Sequence, residues 1–117
     1  MKLLTNELRA QLLANARAQA ASLTAGTQNI DFKPVVKLFT PDANATWLLT
    51  ELHDDDLAFG LCDLGLGCPE LGYVNLAELA TLRGHMGLNV ERDRYFDADK
   101  TLAAYAEEAR HAGRIVT

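Results

Sequence analysis

Apolar positions recur along this chain with two different periods, and each change of period marks a structural boundary. From Thr5 to about Leu23 they step by four, through Leu8, Leu12, Ala16 and Ala20, with Leu23 close to the same face. That is the helical period. Thr5 suits an N-cap, and the alanine-rich composition favours helix. The leucine stripe is narrow, so the helix is expected to lie on a surface. The stretch from Thr24 to Asn29, with Gly26, ends it.

The period then shortens to two. Val35 to Phe39 is β-branched and aromatic, with Pro34 at its start, where proline is tolerated. Thr40-Pro41-Asp42-Ala43-Asn44 has turn chemistry. Ala45 to Leu52 reads as a second strand carrying the only tryptophan, Trp47. After the polar connection His53-Asp54-Asp55-Asp56, Leu57 to Leu64 reads as a third strand, with Leu57, Phe59 and Leu61 on one face. A loop from Gly65 to Glu70 leads to a short fourth strand, Leu71 to Val74. Connections this short predict an antiparallel meander, because a parallel pair needs a long crossover.

Helical spacing returns at Asn75, a cap residue with Glu78 at the third helical position. Leu76, Leu79, Ala80 and Leu82 share a face, and Gly84 is the expected stop. Gly87 to Phe96 is irregular or a short strand. A last helix is expected from about Lys100 to Ala112, with Asp97 or Asp99 as cap. Its buried stripe is Leu102, Tyr105, Ala106 and Ala109; Arg110 and His111 complement its C-terminal dipole, and Gly113 closes it. The pattern predicts an α+β fold: an antiparallel sheet of about four strands with an N-terminal, a short capped and a C-terminal helix packed on it.

At 117 residues the chain reads as a single domain, 1–117. It is long enough to bury a core without disulfides. No apolar run approaches the roughly 20 residues of a membrane span. Glu7 and Arg9 interrupt the start that would otherwise resemble a signal peptide. Cys62 and Cys68 are too few for a secreted small domain. A cytoplasmic protein is expected.

Charge alters the picture more than composition does. The net charge is −5, but residues 51–99 hold eleven acids against three bases. Such a middle repels phosphates, so direct nucleic-acid binding is not expected. It suits a protein partner with a basic surface.

Little of the usual catalytic inventory is present. Ser22, the only serine, sits in the alanine-rich helix without a nucleophile elbow. Cys62 reads as a small apolar residue of a strand. The glycines Gly60, Gly65, Gly67 and Gly72 do not make a phosphate loop. No histidine pair has helical spacing, and the cysteine spacing is not that of a zinc finger or ribbon. No metal and no cofactor is expected. Two acidic groups remain. Asp54, Asp55 and Asp56 form a solvated turn or part of a binding surface. They lack the ligand alternation and glycine of a calcium loop. In Glu91-Arg92-Asp93-Arg94, extended backbone puts Glu91 and Asp93 on one face and Arg92 and Arg94 on the other. The arginines are structural or could clamp an anion. The carboxylates could form ion pairs with nearby arginines, join the acidic binding surface, or act as metal ligands and acid–base groups.

Several of these residues also carry a family resemblance. Pro34 through Pro41, Thr46-Trp47, Thr50-Glu51, Phe59-Gly60-Leu61, Glu70-Leu71-Gly72-Tyr73, Glu78-Leu79, Arg83-Gly84, Gly87-Leu88, Glu91-Arg92-Asp93 and Phe96 resemble, in the same order, the bacterial domain-of-unknown-function family 2958. Val74-Asn75 departs from an aromatic-serine pair associated with that family, although asparagine keeps the cap. The resemblance covers about residues 1–97 and leaves the C-terminal helix, about 99–113, outside. It implies no activity. It implies a setting on plasmids and other mobile elements, whose small genes often act on host defence, replication control or transfer.

The resulting expectation is a non-catalytic acidic interaction protein of a mobile element, in its most specific form an inhibitor of a host DNA-targeting defence system. Asp54, Asp55, Asp56, Glu91 and Asp93 are the candidate surface. Mimicry of DNA is the weaker version, because duplex DNA carries a charge about every 1.7 Å. The alternative is a metal-assisted hydrolase or similar enzyme using Glu91 and Asp93.

Overall fold

The structure, a computed structural model, describes residues 3–117. The chain runs α1 (Asn6–Thr24), β1 (Val36–Phe39), β2 (Thr46–Leu52), β3 (Leu57–Asp63), β4 (Glu70–Asn75), α2 (Leu76–Thr81), β5 (Glu91–Arg92) and α3 (Leu102–Ala112). The strands form one antiparallel sheet in the order β4-β3-β2-β1-β5. The expected meander is therefore present, with a short fifth strand added on the β1 edge.

Helices cover both faces. On one, Leu12 of α1 and Leu76 and Leu79 of α2 pack on Val36, Leu38, Trp47, Leu49, Leu52 and Ala58. On the other, Leu102, Tyr105, Ala106 and Ala109 of α3, with Ile115, pack on Leu48 and Leu61. β2 is the central strand and is buried on both sides, which explains its near-continuous apolar run. Trp47 is 2% exposed, and Phe59 is half-buried against the α3-side core.

β2 contains a bulge. Its register to β3 passes from Leu49 opposite Gly60 to Glu51 opposite Phe59, leaving Thr50 as the extra residue. Strict alternation would put Glu51 on the face of Leu49. The extra residue reverses the parity. Leu52 joins the α1-side core and Glu51 turns to the α3 side, beside Phe59. The carbonyl of Thr50 is satisfied from α1, where Asn15 Nδ2 donates to it at 2.9 Å. Asn15 is accordingly buried, whereas Ala20 and Leu23, expected on the packed stripe, are exposed.

Caps account for most helix boundaries. Thr5 accepts from the Leu8 amide at 3.1 Å, as its position predicts. Asn75 Oδ1 accepts from the Glu78 amide at 3.1 Å. Asn75→Ala is expected to cost about 1 kcal/mol, seen as a lower urea midpoint at unchanged slope. An unmoved midpoint would count against the cap. α3 starts later than expected. Its cap is Thr101, which accepts from the Ala104 amide, and not Asp97 or Asp99. Asp99 instead accepts from the Tyr105 hydroxyl at 3.0 Å. Gly113 closes α3 with φ 75°, as expected.

Gly84 has a different reason from the one expected. α2 ends at Thr81, leaving Ala80 and Leu82 exposed. Gly84 lies against the Asp42 carboxylate, where a side chain would collide with it. Asp42 Oδ2 accepts from the amides of Met86 at 2.6 Å and Leu88 at 3.3 Å, tying the β1–β2 turn to the loop before β5. Desolvation pushes Asp42 up, but these amide bonds outweigh it and hold its carboxyl below the usual value.

Candidate functional site

The two acidic groups singled out in the sequence lie apart. Asp54, Asp55 and Asp56 form a 3-10 turn joining β2 to β3. Asp55 and Asp56 have φ of 61° and 59°, a left-handed conformation that aspartate tolerates better than most residues. Asp56 is held by Arg9, whose Nη1 donates to Oδ1 at 3.1 Å. Asn75 Nδ2 donates to the Asp55 carbonyl at 3.4 Å, which places this turn beside the end of β4 and the start of α2. Asp54 and Asp55 are exposed and have no ion-pair partner among the described residues.

Glu91 and Arg92 make β5, on the opposite edge of the sheet. Only Glu91 and Arg92 lie in the strand, Asp93 follows it and Arg94 is in the next turn, and the partners differ from those expected. Arg92 Nη1 donates to the Leu3 carbonyl at 2.7 Å and pins the segment before α1. Asp93 Oδ2 lies 3.7 Å from Lys37 Nζ, and its Oδ1 accepts from the Tyr95 amide at 2.9 Å. Lys37 is remote in sequence and adjacent in space because β5 pairs with β1. Glu91 and Arg94 are exposed.

Asp93 borders a cleft of about 380 Å³ between β1 and α3. Its two lysines, Lys37 and Lys100, pair with three of its four acids, Asp93, Asp99 and Glu108, and Asp97 has no ion pair among the described residues. Lys100 Nζ lies 3.4 Å from both Asp99 and Glu108 and 4.6 Å from the centre of the Tyr105 ring. The Tyr105 hydroxyl and Lys100 hold Asp99 below its usual pKa. Desolvation works against Lys100, yet its bonds to Glu108 and Asp99 leave it raised. Asp93, the candidate acid or base, is thus already committed to Lys37 and a backbone amide.

A second cleft, of about 440 Å³, lies at the other edge, and sequence reasoning missed it. Its floor is a row across three strands: Glu51 on β2 opposite Phe59 on β3, which is opposite Tyr73 on β4. Glu51 is 6% exposed. His53 Nε2 lies 3.1 Å from its Oε1. The Phe59 and Tyr73 rings are 5.0 Å apart, and the His53 ring meets Tyr73 edge-on at 5.9 Å. Walls come from the α1–β1 loop, held by paired bonds between Gln19 and Ile30, and from the start of α3. Asp31 of that loop accepts from the Ala103 amide at 3.1 Å. The lining contains Asp31 and Glu51 and no lysine or arginine. The available signal was Thr50-Glu51, two successive polar residues near the end of an apolar strand, which is where a bulge reverses the faces.

Cys62 and Ser22 are poorly placed to act as nucleophiles. Cys62 packs against the α1-side core, the face opposite Glu51, and burial raises its pKa. The hydroxyl of Ser22 is bonded to Thr27 and the Gln28 carbonyl. Among the described residues, no three of His, Cys, Asp and Glu converge on a point that could hold a metal ion. No described helix is long and apolar enough to cross a membrane.

Comparison with known proteins agrees with the resemblance and extends it. The family model described as a protein of unknown function (DUF2958) matches residues 3–116. The match includes α3 and the segment after it, where the resemblance read from the sequence stops near residue 97. The physical reason is that α3 covers Leu48 and Leu61 on the second face of the sheet. No curated protein and no solved structure matches the chain. With 114 of its residues matched in one stretch, this chain belongs to the domain-of-unknown-function family DUF2958.

Proposed function

We propose that this chain is a non-catalytic interaction protein that presents carboxylates to a basic protein surface. In its more specific form the proposal is a cytoplasmic product of a mobile genetic element that inhibits a host DNA-targeting defence system. One observation carries the binding reading. Asp54, Asp55, Glu70 and Glu78 are exposed around β4 and its ends, and none has a cationic partner among the described residues. Elsewhere Asp56 is matched by Arg9, Asp93 by Lys37, Asp99 and Glu108 by Lys100, and Glu107 by Arg110, while Glu7, Asp31, Glu91 and Asp97, on other elements, are exposed without an ion pair among the described residues. Exposed unmatched charge steers a partner of opposite sign at little cost to folding.

The test uses the immobilised protein and extract of its native host. A basic protein is expected to be retained at low salt and released as salt rises, because exposed charges are screened. The double variant Asp54→Asn, Asp55→Asn should lose most of that retention with Tm unchanged. The enzyme reading makes a different forecast. Mg²⁺ or Mn²⁺ would raise Tm by mass action, and Asp93→Asn would remove the rise. That outcome, without a retained basic protein, would replace the binding proposal by a metal-assisted hydrolase using Glu91 and Asp93.

A further inference from the structure

The two edges of the sheet are finished differently. The β5 edge has two residues inside the charged run Glu91-Arg92-Asp93-Arg94. Brevity and charge are the usual devices that stop an edge strand from pairing with another chain. β4 is less protected, with a single charge, Glu70, at its first position. It is six residues long, pairs with β3 without a register break, and contains no lysine or proline. Among the described residues β3 is its only backbone partner. Its side chains Leu71 and Tyr73 are 50% and 60% exposed on the face that holds the Glu51 cleft.

The cleft adds a chemical requirement. Glu51 is more than nine-tenths buried, and its one hydrogen bond among the described residues goes to His53 through Oε1. Glu51 lines a cleft that contains no lysine or arginine. The aromatic pair Phe59 and Tyr73 lies between Glu51 and the open edge. A carboxylate behind two rings is complementary to a guanidinium or ammonium group. The carboxylate takes a charge-assisted hydrogen bond, and the ring faces attract the cation and cover its stem.

We propose that an extended segment of a basic partner protein adds to β4 as a sixth strand and places one arginine or lysine side chain over Tyr73 and Phe59 against Glu51. This rests on the binding reading above and names its mode. Main-chain hydrogen bonds along β4 supply affinity, and the cleft selects the side chain at one alternate position. The reach is feasible. From an added strand to β2 is three steps of about 4.8 Å, or about 14 Å, which an extended arginine or lysine and a glutamate span together. Glu70 at the start of β4 and Asp54, Asp55 and Glu78 near its end extend the same preference along the segment. A second copy of this chain fits less well, because β4 against β4 would bring like-charged groups together on a chain of net charge −5.

The probe is a ten-residue peptide alternating valine with lysine, compared with one alternating valine with glutamate. Hydrogen exchange of the Leu71–Val74 amides and peptide affinity are measured together. The lysine peptide is expected to slow exchange in β4 at least tenfold, and the glutamate peptide to leave it unchanged. Glu51→Gln and Tyr73→Ala should each weaken lysine-peptide binding about tenfold. Tyr73 is mostly exposed, so its variant keeps the test valid should Glu51→Gln disturb folding. Binding that leaves β4 exchange unchanged and is lost in Asp54→Asn, Asp55→Asn would overturn strand addition while leaving the basic-partner reading in place. Failure of the lysine peptide to bind at millimolar concentration would overturn both. Protection of β4 that depends on protein concentration alone would replace the basic partner by a second copy.

Discussion

Gly60→Ala is expected to destabilise this protein by about 3 kcal/mol or more, although it adds one methyl group. Gly60 sits opposite Leu49, where β2 bulges. A Cβ there would meet the Leu48 carbonyl and lie 2.8 Å from the Leu49 Cα, inside van der Waals contact. The obstacle is backbone at the centre of the sheet, so no side-chain rotation relieves it. Either the bulge straightens or β2 and β3 move apart. Straightening would turn Glu51 toward the apolar core around Leu49 and draw Leu52 out of it. The matched control is Gly72→Ala on β4, paired directly with Gly60. Nothing lies within 4 Å of a Cβ at Gly72, so that change should stay within about 0.5 kcal/mol. Urea midpoints of the two variants provide the comparison. A Gly60→Ala midpoint close to that of Gly72→Ala would mean that the bulge, and with it the orientation of Glu51, is wrongly described.

The bulge also marks where sequence stopped being a sufficient guide. Period and punctuation located the elements whose determinants are local. The α3 stripe Leu102, Tyr105, Ala106 and Ala109 is buried as its spacing predicts, and the hairpins follow from turn chemistry and short connections. The departures share a cause in long-range pairing. Asn15 is buried because it serves the carbonyl of a residue 35 positions away. Gly84 is needed by Asp42, far earlier in the chain. β5 is too short to show a period and exists by pairing with β1. The candidate site divides in the same way. The exposure of Asp54 and Asp55 could be read from a polar turn. The pairing of Asp93 with Lys37 and the row Glu51, Phe59, Tyr73 needed the sheet register, since Asp93 is 56 positions from Lys37 and the bulge decides which face Glu51 shares.

Asp63→Ala is expected to cost about 3 kcal/mol, the second large effect, and it separates structural from functional acid. In the sequence Asp63 is one more carboxylate of the acidic middle. In the fold it is 3% exposed, at the end of β3. Its Oδ1 accepts from the Gly65 amide and its Oδ2 from the Ile115 amide, each at 2.9 Å. One carboxylate thus sets the turn after β3, where Gly65 has φ 79°, and anchors the chain after α3. Ile115 fills the α3-side core, and Thr117 receives a bond from Lys37 at 2.6 Å. Truncation leaves two amides without acceptors, each worth about 1–3 kcal/mol where water cannot replace the bond. Exchange of the residue 114–117 amides should accelerate first, because that segment has little else to hold it. Asp63→Asn should be intermediate: its carbonyl oxygen still accepts one amide, while its NH₂ faces the other as donor to donor. The same variants should leave salt-sensitive retention of a basic partner unchanged at temperatures where they remain folded, since Asp63 contributes charge to the composition but none to the surface. Loss of retention with full stability would instead place Asp63 in the binding face, an outcome that its burial and its two amide bonds argue against.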